Sequence, residues 1–405
     1  MMRKASAPPA LTTLILITAT STVTLNMIVP SLANIARDLE ADYGLVSLAL
    51  GGYLAVTAAV QLAVGPLADR IGRRPVLLVA LVVFTLASLG CAMAQNVWIL
   101  LGFRMLQAAV VSGYVLSLAI VRDTSAGADT ARLLGRIGMA MALAPMLGPM
   151  LGSVLDAAFG WRTVFLLYAM AGAGLFCLAW MDVGETLRPA PEGSQTGRQL
   201  PALLGQPVFW CYALCTACST AAFYVFLAGA PLIASSVFGI GTAELGIFIG
   251  SITAGFVAGS WLASRLAGRY RPAMLMLTGR ILACLGLTIG LALVAMGYLT
   301  PMLYFGSTIF VGLGNGMTMP NSNAGAMSVQ PLLAGSAAGI TGALTVLGGA
   351  LVTTLTGMAL SGRPSPMLLL ALMLLASFLG LLAAVAAIRL HKPNSQLSRN
   401  LDLSA

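Results

Sequence analysis

Residues 65–75 read GPLADRIGRRP, a stretch that gathers Gly65, Asp69, Arg70, Gly72, Arg73 and Arg74. Long apolar runs flank it on both sides, although only 8% of the 405 residues are charged. One acid and three arginines packed into 69–74 mark a short polar turn between two apolar segments. Gly72 permits a tight turn, Gly65 lets two helices approach closely, and the arginines favour one side of a membrane. Charge anchoring alone explains the arginines but neither Asp69 nor the glycines.

Outward from this turn the chain is apolar throughout. Hydrophobic residues make up 59% of it, with a mean hydropathy of +0.95. A water-soluble protein of this length cannot bury that much apolar surface, so the bilayer is its solvent and lipid its first partner. Runs of about 20 apolar residues recur, as spanning helices require, and backbone groups in lipid must be satisfied within each span. We read twelve spans: 11–36, 43–68, 75–94, 97–121, 133–157, 161–183, 208–234, 243–268, 272–297, 300–320, 334–360 and 365–390. The first is too long for a signal-peptide core and lacks a small-residue cleavage site, so it is expected to remain as the first helix.

An even number of spans puts both termini on one side. That side collects Arg3, Lys4, Arg70, Arg73, Arg74, Arg122, Arg132 and Arg136, and eight more between Arg188 and Arg399. It holds sixteen of the 21 basic residues, against Arg37, Arg162 and Arg363 on the other. The asymmetry predicts cytoplasmic termini. It also accounts for the net charge of +9 by attraction to an anionic leaflet, with no nucleic acid as partner.

The polar stretch 184–207 reads as a cytoplasmic linker. It divides the chain into an N-terminal six-helix bundle, 1–183, and a C-terminal one with a short cytoplasmic tail, 208–405. GPLADRIGRR (65–74) and SWLASRLAGR (260–269) close corresponding spans of the two halves and share Leu, Ala and Arg at matching offsets. Two repeated bundles around a midplane site form a transporter architecture.

Several chemistries are excluded. All six cysteines lie in apolar segments and the single histidine, His391, is in the tail. Cys211, Cys215 and Cys218 share a helical face, but without further ligands they read as packing residues and no metal site is expected. Nothing resembles a nucleotide loop or a catalytic triad, so neither a cofactor nor enzymatic activity is expected.

The pattern Gly65-x-Leu67-Ala68-Asp69-Arg70-x-Gly72-Arg73-Arg74 resembles the loop signature between helices 2 and 3 of the major facilitator superfamily. The resemblance implies an all-α membrane protein of twelve transmembrane helices in two six-helix bundles. It also implies that Asp69 and Arg73 join Asp123, at the end of the fourth span, in a latch that meets the eleventh. Within the fourth span, Arg104 lies roughly 10 Å deep at 1.5 Å per residue, where a charge is a functional hypothesis by default. Gln107 and Tyr114 fall on broadly the same face, and Arg104-x-x-Gln107 resembles the motif of proton-coupled members. Ala144, Gly148, Pro149 and Gly152 resemble the fifth-helix signature of antiporters. With TLNMIVPSLANIARDL (24–39) and FGWRTVFLL (159–167), the chain resembles the drug:proton antiporter group, bicyclomycin and chloramphenicol resistance branch.

One departure stands out. Many members of that group have an acid in helix 1 four residues before the proline; here Asn26 precedes Pro30. Asn26 can hydrogen-bond to Arg104 but cannot titrate. Tyr53, Gln61, Phe223, Tyr224 and Phe226 are further candidates for a substrate or proton pathway. Arg280 is expected to snorkel to the cytoplasmic surface.

The expectation is a monomeric exporter in a bacterial inner membrane. It would carry hydrophobic small molecules outward by alternating access, in exchange for protons. Rival readings are an exporter of sugar or amino-acid derivatives, a membrane ligand sensor without net transport, and a lipid-modifying enzyme built on Asp69, Arg73 and Asp123.

Overall fold

The computed structural model describes residues 9–125, 133, 137, 147–186, 203–267, 269–330 and 333–390. The expected linker core and Ala144 lie outside the described residues, as does much of the fifth span.

The described residues form helices joined by short turns. α1 is Leu11–Asp38, interrupted by a 3-10 turn at Val29–Ser31 around Pro30. α2 is Tyr43–Ile71 and α3 is Arg73–Ala92. α4 runs Val97–Gln107 and continues, after a 3-10 turn, as Val111–Thr124. α5 is Leu147–Phe159 and α6 is Arg162–Asp182. The second half has α7 Pro207–Ser236, α8 Thr242–Leu266, α9 Pro272–Ala295, α10 Pro301–Ser328, α11 Ala334–Ser361 and α12 Pro366–Leu390. Ten of these are long and apolar enough to cross a membrane. α5 is described over its last part only. α10 has the length, 28 residues, but carries Asn315, Thr318, Asn321, Ser322 and Asn323. Its buried polar groups are satisfied by neighbouring helices: Thr216 Oγ1 donates to Ser322 Oγ (2.8 Å), and Ser322 Oγ to the Tyr212 carbonyl (2.7 Å).

Local chemistry sets the helix ends. The Asp42 side chain accepts from the Gly44 and Leu45 amides, Asn96 from Ile99, and Thr300 from Leu303, each satisfying free amides of a first turn. Prolines open α7, α9 and α10, where the missing N–H costs nothing. Two caps come from far away in sequence. Asp182 accepts from the Ala10 amide (2.9 Å) and Thr13 Oγ1 (2.5 Å) at the start of α1. Glu185 accepts from the Arg73 and Arg74 amides (2.9 and 3.3 Å) at the start of α3. Both place a negative charge at a helix N-terminus.

Each half has its own apolar core. The largest cluster also crosses between them, joining Val29, Leu50 and Leu54 to Phe226, Ile249 and Phe305. α8 and α10 pack backbone against backbone: a Cβ on Gly312 would collide with the Ile252 carbonyl oxygen, and one on Gly259 with that of Leu313. Gly312→Val should therefore lower stability by about 1–3 kcal/mol, read as a lower Tm of the detergent-purified chain; an unchanged Tm would mean the two helices can separate freely.

Candidate functional site

A cavity of 490 Å³ lies between the halves. α1 contributes Thr22, Leu25 and Asn26; α7 Thr220, Phe223 and Tyr224; α8 Ile252, Thr253 and Phe256; and α10 Gly312, Asn315, Met319 and Asn323. The lining is apolar and aromatic with a few amides and hydroxyls, and among the described residues it contains no charged side chain. That composition and size suit a small organic ligand.

The halves meet tightly at one end of the bundles and separate at the other. α2 and α11 run antiparallel across the seam. A Cβ on Gly44 would strike Ser361, one on Gly51 would strike Thr354, and one on Gly357 would strike Ser47. Gly65 follows Gly51 by just under about four turns, and Gly339 precedes Gly357 by about five, so each shares its partner's face. Yet nothing lies within 4 Å of a Cβ on Gly65 or Gly339. The two helices therefore form a V that is closed at the Tyr43–Ser361 end and open at the end bearing Arg70–Arg74. Tyr43 adds a bond across the closed end, its hydroxyl donating to the Ala228 carbonyl at 2.6 Å.

α5 seals the same closed end. Gly148 packs on Asn26 and Met27, and a Cβ on Gly152 would overlap the Met27 carbonyl oxygen. Opposite, Gly246 of α8 sits against Ser153 and Pro149 of α5. The small residues thus let α5 touch α1 on one side and the other half on the other. Beyond them Asp156, 7% exposed, accepts from Asn34 Nδ2 at 2.8 Å, while Asn34 Oδ1 accepts from Arg37 at 3.3 Å.

At the open end, Arg73 bridges two acids. It lies 2.8 Å from Asp69, one turn back on α2, and 3.2 Å from Asp123 at the end of α4. Gly72 has φ 112°, a left-handed backbone that favours glycine, and a Cβ there would push the Glu185 carboxylate off its cap on α3. Arg74 donates to the Trp180 carbonyl (2.9 Å) and stacks on its ring. Arg70 is exposed, as is Asp69, with 58% of its side chain accessible.

Arg104 is wholly buried. It donates to the Ala49 carbonyl of α2 (3.0 Å), the Thr24 carbonyl of α1 (2.9 Å) and Gln107 Oε1, and lies 4.1 Å over the Tyr53 ring. Gln107 Nε2 donates to Ser88 of α3 at 2.7 Å. One guanidinium and one amide thus tie four helices together.

A family model described as Major Facilitator Superfamily matches residues 14–353. The chain belongs to the Major Facilitator Superfamily. It is therefore a multi-pass membrane transporter and not an enzyme. It is 30% identical to an MFS-type transporter of Bacillus subtilis, YdgK, over 82% of this chain and 84% of that one. It is 29% identical to multidrug resistance protein D of Escherichia coli over 89% and 91%. Similarity to a chloramphenicol resistance protein of Pseudomonas aeruginosa, 32% identical, covers about half of each chain (51% and 50%). The fold matches a bacterial homolog of the human lysosomal transporter Spinster, in an inward-facing and unoccupied conformation. That match has a TM-score of 0.76 at 16% identity and covers 95% of this chain and 98% of that one. A D-xylose–proton symporter matches with a TM-score of 0.72 at 17% identity, over 93% and 95%.

Against that superfamily fold, the residues singled out in the sequence separate into groups. Asn26, Phe223 and Tyr224 line the cavity. Asn26 is not the partner of Arg104; its amide donates to the Thr22 carbonyl at 2.9 Å. Arg104, Gln107 and Tyr53 lie behind the wall, inside the N-terminal bundle. Phe226 packs edge-on against Phe305 in the core. Gln61 and Tyr114 are half-buried outside the lining. Arg280 does not snorkel: it is fully buried, donating to Thr318 Oγ1 (2.9 Å) and Asn315 Oδ1 of α10. Its depth in α9, roughly 12 Å at 1.5 Å per residue, was the same signal that marked Arg104. Asn315, Asp156 and Glu185 carried no signal of their own, because their partners lie far away in sequence.

Arg104→Ala would remove the bonds that tie α4 to the Ala49 and Thr24 carbonyls, leave Gln107 Oε1 without its donor and open a void in an apolar bundle. It should cost on the order of 3 kcal/mol, seen as a lowered Tm together with lost flux. A variant with lost flux and an unchanged Tm would show that the arginine does not hold the bundle.

Proposed function

We propose that this superfamily member is a secondary active exporter of hydrophobic small molecules, drugs among them, working by alternating access in exchange for protons. The observation that carries the reading is the cavity at the seam, uncharged and rich in aromatic side chains, lying in a V closed at one end only. The end bearing Arg70–Arg74 is assigned to the cytoplasm by its arginines, which makes this conformation inward-facing and puts both termini inside. The bundles are 1–183 and 208–405, joined by the 184–207 linker, and the protein acts as a monomer in a bacterial inner membrane.

Export, as opposed to uptake, is supported by the fifth-helix motif at the seam and by relatives named for multidrug and chloramphenicol resistance. Small residues at the closed end allow two discrete packings of the same helices. In the outward-open packing Asp69, Arg73 and Asp123 would meet α11, and the closed end would part. Proton exchange is supported by the likeness to drug:proton antiporters. Because no carboxylate lines the cavity among the described residues, the proton would be carried by an acid at one end, Asp123 or Asp156.

In inside-out vesicles, an acid interior should drive uptake of chloramphenicol, and collapsing the gradient should abolish it. Asp69→Asn should cut that uptake by roughly tenfold or more with insertion intact; full activity would sink the latch. Gradient-independent uptake would remove the proton from the mechanism.

Alternating access has its own test. Met150→Cys with Gly250→Cys, in a background stripped of the six native cysteines, places two thiols across the closed end between α5 and α8, where a Cβ on Gly250 lies 3.4 Å from Met150 Cγ. Oxidation should arrest flux and reduction should restore it; transport through an oxidised pair would mean that this end never opens.

A further inference from the structure

Two arginines lie inside the bundles, and among the described residues neither has a carboxylate partner. Arginine keeps its proton even when buried, so both charges persist in the apolar interior. They back opposite walls of the cavity. On the N-terminal side Arg104 donates to the carbonyl of Thr24, on the helix whose Thr22, Leu25 and Asn26 form that wall. On the C-terminal side Arg280 donates directly to Asn315, itself a lining residue. The Arg280 charge is only partly solvated, because its Nη1 has no hydrogen-bond partner. Asp156, the one buried carboxylate among the described residues, is engaged with Asn34 and is not part of the lining.

We propose that the cavity selects uncharged or anionic molecules and disfavours lipophilic cations, with Arg280 setting that preference from behind Asn315. The proposal rests on the cavity being the drug site put forward above. Lining composition alone would predict the reverse, since the faces of Phe223, Tyr224 and Phe256 attract cations. The guanidiniums decide the sign, and Arg280, in direct contact with a lining amide and only partly solvated, contributes the larger part. A ligand charge facing Asn315 lies one side chain away from the buried Arg280 cation, across a wall poorly screened by water, and its affinity changes by at least about tenfold. Asn315 is held at both ends, its Oδ1 by Arg280 and its Nδ2 donating to the Ser219 carbonyl at 2.9 Å. The arginine therefore also fixes the orientation of a polar group that faces the ligand.

The test is equilibrium binding by the full chain in lipid nanodiscs. The fluorescent probes are three dansyl amides of one scaffold, ending in a hydroxyethyl, a carboxymethyl or a trimethylammonioethyl group. The first two should bind at least about tenfold more tightly than the third. Arg280→Gln should shrink that difference to below about threefold, and Arg280→Lys, which keeps the charge, should preserve it. Should the glutamine variant fail to fold, Asn323→Asp leaves Arg280 in place and adds a carboxylate to the lining. It should raise affinity for the ammonium probe by at least about tenfold. Equal or tighter binding of the ammonium probe by the unmodified chain would overturn the charge selection and leave the drug cavity standing. Binding of none of the three would overturn both.

Discussion

A guanidinium cannot shed its charge in a bilayer, and the N-terminal bundle is arranged around that constraint. Arg104 must find acceptors where no water reaches, so α1 and α2 each turn a carbonyl toward it and α4 supplies Gln107. Gln107 in turn fixes α3 through Ser88. Removing any acceptor would leave a buried charge incompletely solvated, so the helices cannot slide independently. The rigidity suits the alternating access proposed above, in which each bundle would move as one body. The C-terminal bundle solves the same problem with Arg280, Thr318 and Asn315, on different helices.

Between these rigid halves the contact is of another kind. The seam is built from glycine, serine and apolar side chains that touch closely but exchange few hydrogen bonds. Tyr43 to the Ala228 carbonyl is the short one. Such a surface separates without stranding buried polar groups. Strong polar bonding lies within each bundle and weak, shape-dependent contact lies between them, which is the distribution that a two-state rocking device needs.

The fold was almost wholly legible in the sequence, because a bilayer leaves few alternatives. Twelve apolar runs at spanning length can only be helices. The turn at 65–75 was legible too, since Gly72, Asp69 and Arg73 are local to one another. The site was legible in part. Asn26 stands out in the sequence as a departure from the resistance-family pattern before Pro30, and Phe223 as one of the aromatics of its span, but the cavity's α10 wall has no such mark: Asn315, Met319 and Asn323 sit in a span whose polar residues give no indication of what they face.

Sequence by itself determined the class, the number of spans and the charged turn, because hydropathy and charge asymmetry act residue by residue against a uniform solvent. Tertiary structure alone decided the pairings. Arg104 and Arg280 look alike in sequence as single charges deep in apolar helices. Only packing shows Arg104 tying helices together behind one wall of the cavity while Arg280 holds a lining amide in the other. Likewise Glu185 became the cap of α3 because the end of α6 arrives beside Gly72, a neighbourhood set by helix packing. Which side chains meet across a bundle depends on helix rotation and tilt, and those are fixed by the sum of all contacts.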